Sequence, residues 1–96
     1  MKKQTFKEII ETDNSILLLD IREPEELLIE ETIPGAKNVP MGKVFTEAIQ
    51  GKLPKDIQII VFCRTGGRAG IVERELRERG YTIDGLEGGL VELRNL

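Results

Sequence analysis

Two runs of apolar residues constrain the fold of this 96-residue chain more than any other feature. The first is Ile16–Leu19, which ends at Asp20, and the second is Ile57–Phe62, which is rich in β-branched residues and ends at Cys63. A strand with one face in water alternates polar and apolar side chains, whereas a strand covered on both faces is apolar almost throughout. The two runs therefore predict buried strands of a parallel sheet.

The segments before and between these runs carry helix signals. Thr5-Phe6-Lys7-Glu8 fits a capping box at the start of a helix. Pro24 suits the first turn of a second helix, and the acidic cluster Glu23–Glu31 is interpreted as a solvated helix face. In chain order, we expect helices from Thr5 and over 24–29, 43–50, 68–79 and 90–96, strands over 16–19, 57–62 and 81–86, and a short extended piece over 38–40.

Strands that alternate with helices predict one domain over residues 1–96, a three-layer α/β/α domain with a small central parallel sheet. The closing helix is expected to turn Leu90, Leu93 and Leu96 inward. Gly88 and Gly89 before it are interpreted as turn geometry and not as ligand contacts.

Composition and charge exclude several classes of function. The 14 basic and 17 acidic side chains are interspersed and give a net charge of −3, so neither nucleic acid nor a membrane is an expected partner. The chain contains no apolar run long enough for a signal peptide or a membrane span, and a cytoplasmic location is expected. With one cysteine and no histidine, the sequence predicts no internal disulfide, no Cys-His pair, no metal site and no cofactor.

The single cysteine lies where a catalytic loop is expected. Cys63 follows the most buried strand, at the sheet edge where ligands bind in open parallel sheets. The N-terminus of the next helix points at the same loop, and Gly66 and Gly67 allow successive backbone amides to turn inward. The positive end of the helix dipole and the nearby arginines are expected to favour the thiolate form of Cys63. The cysteine could then act as a nucleophile without a histidine base. An inert packing cysteine is the alternative, but such a residue has no need of the neighbouring glycines and arginines.

The loop Cys63-Arg64-Thr65-Gly66-Gly67-Arg68 resembles the active-site loop of the rhodanese family, whose pattern is a cysteine, two residues, a glycine, one residue and an arginine. Three further segments are similar to family motifs in the same order: Leu18–Glu26 to an Asp-x-Arg box, Ile33–Pro40 to an Ile-Pro-Gly-Ala segment, and Gly80–Gly89 to a C-terminal signature. The resemblance implies a rhodanese-like domain that acts as a thiosulfate sulfurtransferase. Cys63 would take the outer sulfur of a donor such as thiosulfate, become a persulfide, and pass the sulfur to cyanide, a thiol or a protein acceptor.

The resemblance also implies roles for individual residues. The loop amides from Arg64 through Thr65, Gly66 and Gly67 to Arg68 would hold the charged persulfide. Arg68 would fix the loop, whereas Arg64 is either a contact for an anionic donor or a solvated surface charge.

Asp20 and Arg22 are implied to be structural, as an ion pair that fixes neighbouring loops. The sequence departs from the family at Thr32, where histidine is frequent, and at Leu90 and Leu93, where tryptophan is frequent. These departures affect the rim of the site and the expected substrate preference more than the thiol chemistry.

Two other functions are kept as alternatives. A cysteine-dependent phosphatase or arsenate reductase uses a related loop, but that loop usually carries one residue more than the four that separate Cys63 from Arg68. A shorter loop suits a sulfur atom better than a tetrahedral oxyanion. A persulfide carrier without turnover, or a regulatory binding module, is the non-enzymatic alternative, and a carrier would have the same sequence features.

Overall fold

The computed structural model describes residues 1–95, and at its centre lies a four-stranded parallel sheet. The strands are β1 (Leu17–Asp20), β2 (Lys37–Asn38), β3 (Ile59–Phe62) and β4 (Ile83–Gly85), in the order β2-β1-β3-β4. The helices are α1 (Lys3–Thr12), α2 (Pro24–Leu27), α3 (Met41–Ile49), α4 (Gly67–Glu78) and α5 (Gly89–Leu93). The two apolar runs form the central strands β1 and β3, which confirms the parallel sheet.

Side chains alternate across β3, and helices cover both faces of the sheet. Ile59, Val61 and, directly after the strand, Cys63 belong to the core that packs against α3 and α4. Ile60 and Phe62 belong to the opposite core, which packs against α1 and α5. The three-layer α/β/α arrangement is confirmed. Because the side-chain period of a strand is two, this register places the thiol on the face that α4 covers.

The first helix begins earlier than the sequence predicts. The capping box expected at Thr5–Glu8 is wrong, because α1 begins at Lys3 and has no side-chain cap. Met1 pairs with the edge of the sheet instead: its amino group donates to the Gly85 carbonyl at 2.6 Å, and its carbonyl accepts from the Glu87 amide at 2.9 Å. This pairing fixes the chain immediately before α1, so the helix starts as soon as the chain leaves the sheet.

The capping box lies at the start of α2 instead. The side chains of Glu23 and Glu26 each accept a hydrogen bond from the other residue's backbone amide, with Pro24 in the first turn. The helix ends at Leu27, so the expected extension through Ile29 is wrong.

The other elements lie within a few residues of their predicted positions. Gly80 has φ +90° and ends α4 as a left-handed residue. Leu90 is buried as expected, Leu93 is partly buried against the α1 and α5 core, and Leu96 lies outside the described residues. None of the helices in residues 1–95 is both long enough and apolar enough to cross a membrane.

Candidate active site

Cys63 lies at the carboxyl end of β3, beneath the N-terminus of α4, and is 1% exposed. Its Sγ accepts hydrogen bonds from the amides of Gly66 at 3.2 Å and Ala69 at 3.4 Å. The first backbone hydrogen bond of α4 runs from the Gly70 amide to the Gly66 carbonyl. The amides of the four residues before Gly70 therefore have no acceptor within the helix. Two of these amides reach the sulfur, where the positive end of the helix dipole stabilises negative charge.

The backbone at Gly66 makes this geometry possible. Gly66 has φ +98°, a left-handed conformation that side-chain-bearing residues rarely adopt. A Cβ at this position would also lie 2.9 Å from the Gly88 amide nitrogen. A glycine at this position therefore lets the chain turn sharply from the loop into α4 while its own amide faces the sulfur.

Helix α5 orients the opposite side of the loop. The amides of Leu90 and Val91 donate to the carbonyls of Cys63 and Arg64, each at 3.0 Å. The carbonyl and amide of one peptide unit point in opposite directions, so the peptide groups that follow Cys63 and Arg64 turn their N–H groups away from α5. Gly89 has φ +60°, and a Cβ on it would lie 2.5 Å from both carbonyl oxygens. The turn geometry expected at Gly88 and Gly89 is present, and Gly89 additionally lets α5 approach the loop.

Arg68, at the other end of the loop, is bound by α2. Its Nη1 and Nη2 donate to the two carboxylate oxygens of Glu26 at 2.7 and 2.9 Å. The Arg68 guanidinium lowers the pKa of Glu26 to about 2. The pKa of Arg68 is raised, mainly by the hydrogen bonds to Glu26 and further by the Cys63 sulfur. The interpretation of the acidic cluster as a solvated helix face is thus wrong for Glu26, and also for Glu30, which accepts from Arg94 Nη1 at 2.6 Å.

Asp20 and Arg22 form the expected ion pair, and both are buried. Arg22 Nη2 lies 2.8 Å from Asp20 Oδ2, and Arg22 Nε lies 3.0 Å from Oδ1. The hydrogen bonds to Asp20 raise the pKa of Arg22. The Asn38 side chain donates to the carbonyls of both residues at 2.9 Å, which joins β2 to the pair. Because Asp20 pairs in register with Phe62, the ion pair lies at the same sheet edge as the thiol.

Arg64 and Thr65 are exposed at the tip of the loop. Beside the loop lies a cavity of about 280 Å³ that is lined by Arg22, Glu26, Ile29, Glu30 and Arg64. The first of these arginines and the two glutamates have ion-pair partners at Asp20, Arg68 and Arg94 respectively. Among the ion pairs formed within residues 1–95, none involves Arg64. Within the described part of the chain, the Arg64 guanidinium is therefore the charge at this cavity that has no ion-pair partner.

The structure brings all eight predicted site residues to one sheet edge, and it adds two supports that the sequence analysis does not identify. Glu26 lies four residues after Arg22, in the helix that directly follows the predicted Asp-x-Arg box. Because this box and the cysteine loop each follow a predicted parallel strand, the sequence could have indicated that Glu26 lies near the loop. The role of Gly89 is harder to predict, since the only indication in the sequence is a Gly-Gly pair after the last strand. Its close approach to Cys63 becomes visible only in three dimensions.

The Glu26 carboxylate is expected to stabilise the folded protein at neutral pH. A lowering of its pKa from 4.5 to about 2 corresponds to roughly 3 kcal/mol. Solvent screens this pair, whose side chains are about 30% exposed, so we expect Glu26→Gln to cost about 1–2 kcal/mol. The lowered pKa means that this contribution is fully present above pH 4.5 and is lost as the pH falls toward 2. Urea unfolding of both proteins across this pH range measures it.

Glu25→Gln is the matched control, since Glu25 is an exposed carboxylate on the same helix. This variant should unfold at the same urea concentration as the wild type at neutral pH. A difference between wild type and Glu26→Gln that stays constant from pH 7 to the acid limit would contradict the assigned ion pair.

Known proteins resemble this chain in both sequence and fold. The family model described as Rhodanese-like domain matches residues 2–96. "Putative sulfurtransferase YtwF" of Bacillus subtilis is 38% identical over 86 residues, which cover 90% of this chain and 81% of that protein. "Putative sulfur carrier protein YrkF" of the same species is 31% identical over 78 residues, which cover 81% of this chain and 40% of that protein.

The fold comparison agrees with the sequence comparison. The crystal structure of a rhodanese-related protein from Thermoplasma volcanium matches with a TM-score of 0.81 and 26% identity, over 97% of this chain and 87% of that chain. A family match that includes both the cysteine loop and the sheet supporting it does not depend on one short motif. The chain therefore belongs to the rhodanese-like domain family of sulfurtransferases.

Proposed function

We propose that this protein moves a sulfane sulfur from an anionic donor such as thiosulfate to an external acceptor through a persulfide on Cys63. One observation carries the proposal: Sγ of Cys63 accepts hydrogen bonds from the Gly66 and Ala69 amides at the N-terminus of α4. These fixed donors favour negative charge at the sulfur, first on the thiolate and then on the persulfide. The two Bacillus subtilis relatives, named for sulfur transfer and sulfur carriage, support the same chemistry.

The proposed reaction has two displacement steps. The Cys63 thiolate attacks the outer sulfur of thiosulfate, the S–S bond of thiosulfate breaks, and sulfite leaves with the bonding electron pair. Cyanide or an acceptor thiolate then attacks the outer sulfur of the persulfide, and Cys63 leaves as a thiolate. All nucleophiles and leaving groups are anions, so neither step needs a proton donor or a histidine.

The surrounding residues have supporting roles in this proposal. Arg64 is exposed, lines the cavity beside the loop and forms no ion pair within the described residues, which supports a contact with an anionic donor. Arg68 is a positioning residue, because Glu26 holds its guanidinium and thereby fixes the start of α4. Asp20 and Arg22 support the sheet edge through their buried ion pair.

The acceptor must come from outside the chain. The sequence contains a single cysteine, so no internal thiol can resolve the persulfide. Cyanide, a small thiol and a protein thiol are all compatible with the second step. The cytoplasmic location expected from the sequence stays a prediction, and a reducing compartment of that kind would supply thiol acceptors.

The phosphatase or arsenate reductase alternative receives less support from this geometry. In an oxyanion loop the amides and the arginine surround a tetrahedral group. Here two of the amides lie 3.2 and 3.4 Å from Sγ, and Arg68 directs one N–H of each Nη to Glu26. These contacts support a sulfur atom over a tetrahedral oxyanion as the group that the loop holds.

The test is to incubate the purified protein with thiosulfate and measure its intact mass. We expect the mass of one sulfur atom to be added at Cys63, and subsequent cyanide to remove it as thiocyanate. Repeated turnover with cyanide distinguishes an enzyme from a carrier that is loaded only once. Hydrolysis of an aryl phosphate without any sulfur on Cys63 would overturn the proposal in favour of the phosphatase alternative.

A further inference from the structure

Two adjacent apolar side chains beside the active-site loop are exposed to solvent. Leu28 and Ile29 directly follow α2 and are 88% and 91% exposed, which makes them the most exposed of the large apolar residues in the described chain. Ile29 also lines the cavity that contains Arg64. We call this pair of residues the α2 rim. Scattered apolar side chains are ordinary on protein surfaces, but adjacent ones at the edge of a functional cavity indicate an interaction site.

The α2 rim is held in place by its neighbours. The amides of Leu28 and Ile29 donate to the carbonyls of Glu25 and Glu26, both at 3.2 Å. Ion pairs flank the rim on both sides, from Glu26 to Arg68 at 2.7 Å and from Glu30 to Arg94 at 2.6 Å. These two ion pairs join the rim to the loop through Arg68 and to the end of α5 through Arg94. The exposed side chains therefore belong to an ordered surface.

Among the charged side chains that line the cavity, the one without an ion-pair partner in residues 1–95 is positive. Glu26 and Glu30 are neutralised by their arginine partners, and Arg22 by Asp20, whereas Arg64 has no ion-pair partner within residues 1–95. A ligand that covers the cavity would meet apolar side chains on one side and an unpaired guanidinium on the other. Thiosulfate and cyanide are small and ionic, so neither can cover the α2 rim.

We propose that the α2 rim and Arg64 form the docking surface for a protein sulfur acceptor. This inference rests on the proposed persulfide chemistry. The thiol-bearing segment of the acceptor would place an apolar side chain against Leu28 and Ile29 and a carboxylate against Arg64. Its thiolate attacks the outer sulfur of the Cys63 persulfide, the S–S bond breaks, and Cys63 is released as a thiolate.

A second copy of this chain fits the surface less well. Most symmetric dimers use the same patch on both subunits, so Arg64 would face the cavity lining of a second copy, whose carboxylates at Glu26 and Glu30 already have arginine partners. The free guanidinium thus favours an acidic partner over self-association.

The experiment measures binding separately from sulfur transfer. The probe is a fluorescently labelled peptide with adjacent leucine, serine and glutamate, in which serine replaces the reactive cysteine, and binding is followed by anisotropy. A control peptide carries serine for the leucine and glutamine for the glutamate. We expect the wild type to bind the first peptide about tenfold more tightly. The preference should disappear in the double variant Leu28→Ser/Ile29→Ser, and Arg64→Gln should remove the part due to the glutamate.

Ile49→Ser is the matched control, because Ile49 is a 67% exposed apolar residue on α3. This variant should keep the full peptide preference. Equal binding of both peptides by the wild type, or an unchanged preference in the double variant, overturns the docking surface. So does self-association of the wild type in analytical ultracentrifugation that the double variant abolishes.

Intact mass after thiosulfate treatment is measured in parallel. Absence of sulfur on Cys63 contradicts the proposed function whatever the peptides do. Equal binding of both peptides by a wild-type protein that loads sulfur normally contradicts only the docking surface. Proteins that take up sulfur normally are then mixed with the cysteine form of each peptide. The rate of sulfur transfer to each peptide, divided by the rate of transfer to cyanide, reports whether docking speeds transfer.

Discussion

A Cys63→Ser protein is expected to lose sulfur transfer from thiosulfate to cyanide by about a thousandfold or more. A serine hydroxyl is scarcely ionised at neutral pH and cannot form a persulfide, so no other group in the loop replaces the nucleophile. Thiocyanate formation measures the loss of activity. Intact mass after thiosulfate treatment should show no added sulfur.

The same variant should fold normally. Serine has nearly the shape of cysteine, and its Oγ can accept hydrogen bonds from the Gly66 and Ala69 amides that Sγ accepts in the wild type. We expect the free energy of unfolding to change by no more than about 1 kcal/mol, so lost activity cannot be attributed to lost structure. Full activity in Cys63→Ser would exclude the proposed mechanism.

Asp20→Ala is expected to destabilise the protein by about 3–5 kcal/mol, because it leaves the buried Arg22 guanidinium without its carboxylate partner. Asp20 Oδ1 also accepts a hydrogen bond from the Arg22 amide at 3.1 Å, which the variant loses. The total stability of a domain of this length is roughly 5–14 kcal/mol, so the loss is a large fraction of it. Urea unfolding at neutral pH provides the measurement.

A double variant keeps this prediction testable if Asp20→Ala fails to fold. Asp20→Leu/Arg22→Met removes both buried charges and retains apolar volume, so we expect it to be more stable than Asp20→Ala by about 2 kcal/mol or more. A double variant that is no more stable than the single one would show that the cost does not arise from an uncompensated charge.

The fold could be predicted largely from local patterns in the sequence. The apolar runs at Ile16–Leu19 and Ile57–Phe62 were sufficient to predict buried parallel strands, since continuous burial leaves few other arrangements. The position of the thiol followed from the same pattern, because Cys63 comes immediately after the second run. The loop motif then assigned its chemistry by resemblance.

The supports of the loop could not be predicted in this way, since they depend on contacts between distant segments. Glu26 and Arg68 are 42 residues apart in sequence, and an acidic cluster on a short helix is by itself typical of a solvated face. The predicted start of α1 is wrong for a similar reason. A capping box is a local signal, whereas Met1 is fixed by β4, 84 residues along the chain.

The contact between α5 and the loop has a consequence for the order in which the protein matures during synthesis. Strands β1 and β3 and the thiol are all present once Cys63 has been added, but the peptide groups after Cys63 and Arg64 are oriented by the amides of Leu90 and Val91. A nascent chain that ends before Val91 therefore carries the nucleophile without its oriented amides. We expect the cysteine to become competent for sulfur transfer only after Val91 has been added.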